Sequence, residues 1–223
     1  MNMPSNYLST KPIPIDERLI VALDVPGADH ARALVEELGD SVVFYKMGLE
    51  LFMAGDYFEL VQWLLSKNKK VFADLKFFDV PQTVQSAVRQ LARSGAHFAT
   101  VHGNDSIMAA AASAKGDLKL LAVTALTSLD QGDIEDLGFH ADVRELVLSR
   151  ARRAVAAGCD GVIASGIEAP ELRRQLGNEF IVVSPGIRPV QNTDDQKRTV
   201  DVEQAFLNGA DHIVVGRPIK EPV

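Results

Sequence analysis

The run Val71-Phe72-Ala73-Asp74-Leu75-Lys76-Phe77-Phe78-Asp79-Val80-Pro81-Gln82-Thr83 passes from a short apolar strand candidate, through a charged tip, to a helix start. Val71–Ala73 has the composition of a strand buried on both faces. Pro81 suits a first helical position, where its missing N–H costs nothing. The unit is therefore strand, charged turn, helix. It recurs in both directions. Leu19–Leu23 and Val42–Tyr45 are strand candidates upstream; Phe98–Val101, Leu118–Val123, Gly161–Ala164, Ile181–Val183 and His212–Val215 follow downstream. Between them, apolar residues fall at helical spacing, as in Ala31-Leu34-Val35-Leu38 and Leu60-Val61-Leu64-Leu65, and Asp142 is placed to cap another helix.

Strands that alternate with helices pair in parallel through right-handed crossovers. Eight of them close a (β/α)8, or TIM, barrel, here a single domain over residues 1–223 with an irregular segment at 1–16. An open doubly wound sheet is the alternative. It usually carries a glycine-rich turn after its first strand, whereas this chain reads Asp24-Val25-Pro26-Gly27 there. Val223 follows soon after the last strand candidate, so the helix expected after strand eight is missing.

Composition narrows the class. An apolar fraction of 47% and a charged fraction of 24% describe a soluble globular protein. Cys159 is the one cysteine, so no internal disulfide can form, and its setting is that of a packing residue. A net charge of −7 disfavours nucleic acid as a partner. The first residues lack the apolar core of a signal peptide, and no apolar run is long enough for a membrane span. The expected location is cytoplasmic.

Barrel active sites lie at the carboxyl ends of the strands. Strand one ends at Asp24, strand two in Tyr45-Lys46-Met47-Gly48, strand three in Asp74-Leu75-Lys76 and strand eight in Gly216-Arg217. Asp74 and Lys76, two apart on an extended segment, are expected on one face, close to Lys46 and Asp24. Lys76 among carboxylates stays an ammonium suited to giving a proton. A structural ion-pair network at the barrel mouth is the alternative. Gly216 and Arg217 pair a bare amide with a guanidinium, a pairing suited to phosphate oxygens, and barrels often hold phosphate with the loops after strands seven and eight; a plain surface loop with a solvated arginine is the alternative. The loop after strand seven, Ser184-Pro185-Gly186-Ile187-Arg188 through Asp195-Gln196-Lys197-Arg198, is long and polar enough to fold over a ligand. His102 reads as a packed, satisfied histidine rather than a ligand or base. No spacing of His, Asp or Glu matches a metal motif, so neither metal nor cofactor is expected.

The run from Phe72 to Thr83 resembles the D-x-K-x-x-D signature of the orotidine 5′-phosphate decarboxylases. The resemblance extends from Arg18 to Pro218. It includes Leu23-Asp24, Tyr45-Lys46-Met47-Gly48, Ser184-Pro185-Gly186-Ile187-Arg188 and Val214-Val215-Gly216-Arg217-Pro218, in that order. It implies cofactor-free decarboxylation of orotidine 5′-phosphate to uridine 5′-phosphate in de novo pyrimidine biosynthesis, by a homodimer. In that scheme Lys76 protonates C6 and Asp74 faces the substrate carboxylate. Asp79 and Thr83 reach into the partner's site. Asp24 and Lys46 hold ribose hydroxyls and complete the charge array. Thr127 meets the pyrimidine edge, and Gln196, Gly216 and Arg217 hold the phosphate, with Pro185 and Arg188 in the closing loop. Related barrels that share D-x-K-x-x-D act on sugar phosphates with Mg2+, held partly by a strand-two carboxylate. Here that place is Lys46. A Schiff-base aldolase would need Lys76 in an apolar or cationic setting. A nucleotide-sensing barrel would keep the phosphate grip without needing the charged tip.

Overall fold

The computed structural model describes residues 6–138, 140, 142–187 and 200–220. Eight parallel strands close on themselves in chain order: β1 (Leu19–Ala22), β2 (Phe44–Met47), β3 (Lys70–Phe77), β4 (Phe98–Val101), β5 (Lys119–Val123), β6 (Gly161–Ile163), β7 (Ile181–Ser184) and β8 (His212–Val215). β8 pairs with β1 to complete the cylinder, with Ile20 opposite Val214. The helices of the outer layer include α1 (Ala28–Leu38), α2 (Leu49–Ala54), α3 (Tyr57–Ser66), α4 (Pro81–Ala92), α5 (Asp105–Ala112), α6 (Gln131–Asp136), α7 (Val143–Ala156), α8 (Ala169–Leu176) and α9 (Val202–Leu207). Among the described residues no helix is long and apolar enough to cross a membrane.

The strands divide their side chains with a period of two. Ile20, Ala22, Phe44, Phe72, Phe98, Leu121, Val183 and Val214 form the plug inside the cylinder. Val21, Leu23, Tyr45, Met47, Val71 and Ala73 face outward and pack under the helices. The Phe44 and Phe98 rings lie 4.9 Å apart, and Phe72 meets Phe98 edge-on at 5.9 Å. Three large aromatic rings fill the width of the barrel. Cutting one back to alanine costs about 3–5 kcal/mol on the usual scale for buried aromatics.

Below the plug, at the amino ends of the strands, a buried ion pair ties the base together. Arg173 Nη2 lies 2.7 Å from Asp211 Oδ2, and the same guanidinium donates to the carbonyls of Gly209 and Phe180. Asp211 also accepts from the Val182 amide, Ser9 and Lys11. The irregular segment before β1 is thus anchored from Asn6 onward, with the Tyr7 amide donating to the Leu207 carbonyl.

Six strands differ from the expected bounds at one end or both, and β2, β3 and the segment after β8 differ most. β2 starts and ends two residues later than Val42–Tyr45, which places Lys46 inside the strand. β3 runs to Phe77 rather than stopping at Ala73, because Phe77 resumes pairing with Val101 after a register shift. After β8 the chain makes one short helical turn, α10 (Arg217–Lys220), where no helix was expected. Beside it, Leu8, Ile15, Leu19, Val202, Phe206 and Ile219 line an apolar cleft of about 640 Å³ on the outer face of β1 and β8.

Candidate active site

Extending each inward-facing row by one more step of two builds the site. Ala22 leads to Asp24, Phe44 to Lys46, Phe72 to Asp74, Phe98 to Thr100 and Val214 to Gly216. Side chains that would continue the plug are replaced by polar groups at the carboxyl rim. A cleft of about 530 Å³ opens there. Asp24, Lys46, Asp74 and Lys76 line one part of it, and Thr127, Pro185, Gly216 and Arg217 also line it. Eight expected residues therefore share one rim.

The charged groups alternate in sign. Lys46 Nζ sits 3.0 Å from Asp24 Oδ1 and 3.5 Å from Asp74 Oδ2, and Lys76 Nζ lies 2.9 Å from Asp74 Oδ1. Side-chain exposure is 46% for Asp24, 12% for Lys46, 13% for Asp74 and 35% for Lys76, so the array is dry at Lys46 and Asp74 and wet at its ends. Burial alone would raise the Asp74 carboxyl. Lys46 and then Lys76, with hydrogen bonds from Lys76 and Thr100, overcome this and hold it below the usual carboxylate range. Gly48 leaves room for the pair: a Cβ there would stand 3.3 Å from Asp24 Oδ1 and 3.4 Å from Lys46 Nζ.

Lys76 reaches Asp74 by a route that simple alternation does not describe. Its φ is +48°, in the left-handed region that a residue with a Cβ rarely adopts, and β3 and β4 lose register between Ala73 and Phe77. Such a conformation costs on the order of 1–3 kcal/mol and persists where surrounding contacts enforce it. Here the Lys76 N–H donates to Thr100 Oγ1 at 2.8 Å, and the Thr100 hydroxyl donates to Asp74 Oδ1 at 2.9 Å.

Asp79 and Thr83 do not line their own chain's cleft. Both are exposed, at the turn before α4 and in its first turn, and Asp79 Oδ1 accepts the Val80 amide. Arg188 and Gln196 lie outside the described residues. Three polar residues of the site were not singled out from the sequence: Glu50 and Lys220, which line the cleft, and Thr100, which supports Asp74 from beneath it. Lys220 Nζ donates to the Asp24 carbonyl. Thr100 was readable from the two-residue step beyond Phe98. Glu50 and Lys220 sit on helices, and no strand-end rule reaches them. His102 packs edge-on against Phe78, but among the described residues its buried Nδ1 has no hydrogen-bond partner, so it is not the satisfied histidine expected. Burial, then Arg150 and Lys76, press its pKa down. Burial pushes the Cys159 thiol up to about 12, leaving a poor nucleophile.

The model of the orotidine 5′-phosphate decarboxylase / HUMPS family matches residues 17–221. The chain belongs to that family. Among its relatives, the orotidine 5′-phosphate decarboxylase of Methylococcus capsulatus is 67% identical over 97% of this chain and 90% of its own length. The enzyme of the same name from Xanthomonas euvesicatoria pv. vesicatoria is 51% identical over 96% of this chain and 90% of its own. The crystal structure of orotidine 5′-phosphate decarboxylase from Lactobacillus acidophilus superposes with a TM-score of 0.81 at 34% identity, covering 91% of each chain. The family match spans every strand and every described residue of the charged array.

Proposed function

We propose that the chain decarboxylates orotidine 5′-phosphate to uridine 5′-phosphate, as a step of de novo pyrimidine biosynthesis and without a cofactor. The observation that carries the reading is the Lys76 ammonium held 2.9 Å from Asp74 in a cleft that Arg217 also lines. Breaking the C6–carboxylate bond releases CO2 and leaves its electron pair on C6, in an orbital with little delocalisation. A fixed ammonium beside C6 stabilises that charge as it forms, because the dipoles and charges are already oriented. Lys76 then gives its proton to C6 and recovers one from water. Asp74 faces the departing carboxylate and holds Lys76 in place.

The rest of the cleft suits the remainder of the nucleotide. Asp24 and Lys46 meet ribose hydroxyls, Thr127 the pyrimidine edge, and Arg217 with the Gly216 amide the phosphate. Arg188, Gln196 and Pro185 complete the contacts with the nucleotide. Binding energy from the phosphate, far from C6, is then available to the transition state and raises kcat. Asp79 and Thr83 serve the site of a second copy, in a homodimer. Their exposure, beside the exposed apolar side chains of Phe78 and Val80, favours that arrangement. Lys46 stands between the two carboxylates that a divalent cation would otherwise bridge, which favours direct charge pairing over the metal-dependent chemistry of related barrels.

The test is loss of orotidine 5′-phosphate absorbance with the native chain and with Lys76→Ala, with and without EDTA. The native chain turns the substrate over in both conditions. The variant loses nearly all turnover yet still binds uridine 5′-phosphate. Substantial turnover by Lys76→Ala removes the lysine from its role, and activity that vanishes with EDTA points to the sugar-phosphate branch.

A further inference from the structure

Resting on the decarboxylase reading, we infer that Thr100 is a positioning residue for the reaction, whose hydroxyl locks the Lys76 backbone to the Asp74 carboxylate and so aims the ammonium. Thr100 has no solvent-accessible surface and occupies the inward position of β4 directly above Phe98. Its Oγ1 accepts the Lys76 N–H at 2.8 Å and donates to Asp74 Oδ1 at 2.9 Å. Lys76 Nζ donates to that same oxygen at 2.9 Å. Backbone, hydroxyl, carboxylate and ammonium thereby close a ring, in which the ammonium meets Asp74 Oδ1 directly and the backbone N–H meets it through the Thr100 hydroxyl.

The direction of the hydrogen bonds is fixed by chemistry. A backbone N–H can only donate, so Oγ1 must accept there and spend its single proton on Asp74. The ring therefore needs Asp74 Oδ1 as a double acceptor, and an ionised Asp74 makes both of those bonds charge-assisted. It also explains how Lys76 keeps φ at +48°: the N–H that this conformation turns toward β4 meets an acceptor in a dry place. The groups that face Asp74 are Lys46 from β2, Lys76 from its own strand, the neutral Tyr57 phenol from α3 and Thr100 from β4, with Asp24 beyond Lys46. Among these, Thr100 is the one that touches both the carboxylate and the lysine backbone, and it makes no use of charge.

Thr100→Val keeps the shape and removes the hydroxyl; Thr100→Ser keeps the hydroxyl and removes a methyl group. Losing a hydrogen bond to a charged partner predicts a fall in kcat of about 10- to 100-fold for the valine variant. KM for orotidine 5′-phosphate should move by less than about threefold, because the hydroxyl lies beneath the cleft and acts on an existing contact. The acid limb of kcat/KM should shift to higher pH, and the serine variant should return both kcat and the limb to near native. A valine variant with native kcat and an unmoved acid limb overturns the inference, as does a serine variant as slow as valine. A native chain that leaves orotidine 5′-phosphate intact sinks the decarboxylase reading instead. Titration of the Asp74 carboxyl by carbon-13 NMR then decides the role of Thr100 without any turnover. A midpoint raised in Thr100→Val and restored in Thr100→Ser supports the lock, and an unchanged midpoint refutes it.

Discussion

Replacing Lys46 with methionine tests whether the alternating array holds the rim together or merely occupies it. Methionine keeps an apolar stem of similar length and removes the charge. At 3.5 Å, with an effective dielectric constant of about 20, the attraction between Lys46 and Asp74 is about 5 kcal/mol before desolvation. Both groups are nearly buried, so removing them from water takes back about half of that. The contact with Asp24 at 3.0 Å adds at most about 1 kcal/mol, because 46% of that side chain is exposed and solvent screens the pair. Asp74 retains Lys76 and the Thr100 hydroxyl, which limits the damage. The net loss for Lys46→Met is therefore about 2–3 kcal/mol, or about 4–12 °C in Tm for a chain of this size.

Urea unfolding of Lys46→Met, Asp74→Asn and the double variant closes a thermodynamic cycle in which the coupling between the two sites should reach about 1–3 kcal/mol. The sign with pH follows from the depressed Asp74 carboxyl. A group whose folded pKa lies below its unfolded value stabilises the fold above the unfolded value and loses that effect as pH falls through the folded one. Without Lys46 the Asp74 carboxyl rises, so the loss of its contribution begins at higher pH in Lys46→Met than in the native chain. A coupling below about 0.5 kcal/mol, or a variant more stable than native, would refute the view of Lys46 as the bridge between two carboxylates.

Two other expectations can be checked independently. Arg217→Ala should lower kcat/KM for orotidine 5′-phosphate by about 100-fold, the worth of a charge-assisted phosphate contact, while leaving the slow reaction of the nucleoside orotidine unchanged; equal losses on both substrates would place Arg217 elsewhere in the chemistry. Burial holds His97, His102 and His212 below the ordinary histidine pKa, helped by Lys70 at His97 and by Arg150 and Lys76 at His102. The unfolded chain then binds protons near pH 6.5 that the folded chain refuses, so stability should be full above about pH 6.5 and decline as pH drops below it. A urea midpoint that stays flat from pH 7.5 to 5.5 would contradict this.

Much of the barrel could be read from the chain because parallel strands buried on both faces leave a strong mark. Phe98–Val101 and His212–Val215 match their strands from end to end, and the other six differ by a few residues at their ends. The site was legible for a related reason. Once Ala22, Phe44, Phe72 and Val214 point inward, a polar residue two positions later must stand at the rim, and Asp24, Lys46, Asp74 and Gly216 do. What escaped was whatever depends on a neighbour far away in sequence. β2 reaches Met47 because Lys46 pairs with Ala22 and Phe72, and Met47 with Ala73, in neighbouring strands, pairings that no local pattern announces.

Lys76 shows where periodicity stops being the cause of geometry. Two positions beyond Asp74 on a regular strand, it would face the same side by pleating alone. The chain instead leaves the regular ladder at that residue and reaches the carboxylate through a left-handed backbone that Thr100 secures. A regular pleat would set the Lys76 Cα a full two-residue rise, about 6.5 Å, beyond that of Asp74. With the turn, Nζ lies 2.9 Å from Asp74 Oδ1. The strained backbone and the buried hydroxyl thus solve one problem together: they hold an ammonium against a carboxylate of the same strand while both remain at the mouth of the cleft. That pairing, more than the spacing of the two residues, is what gives the Lys76 ammonium a fixed direction.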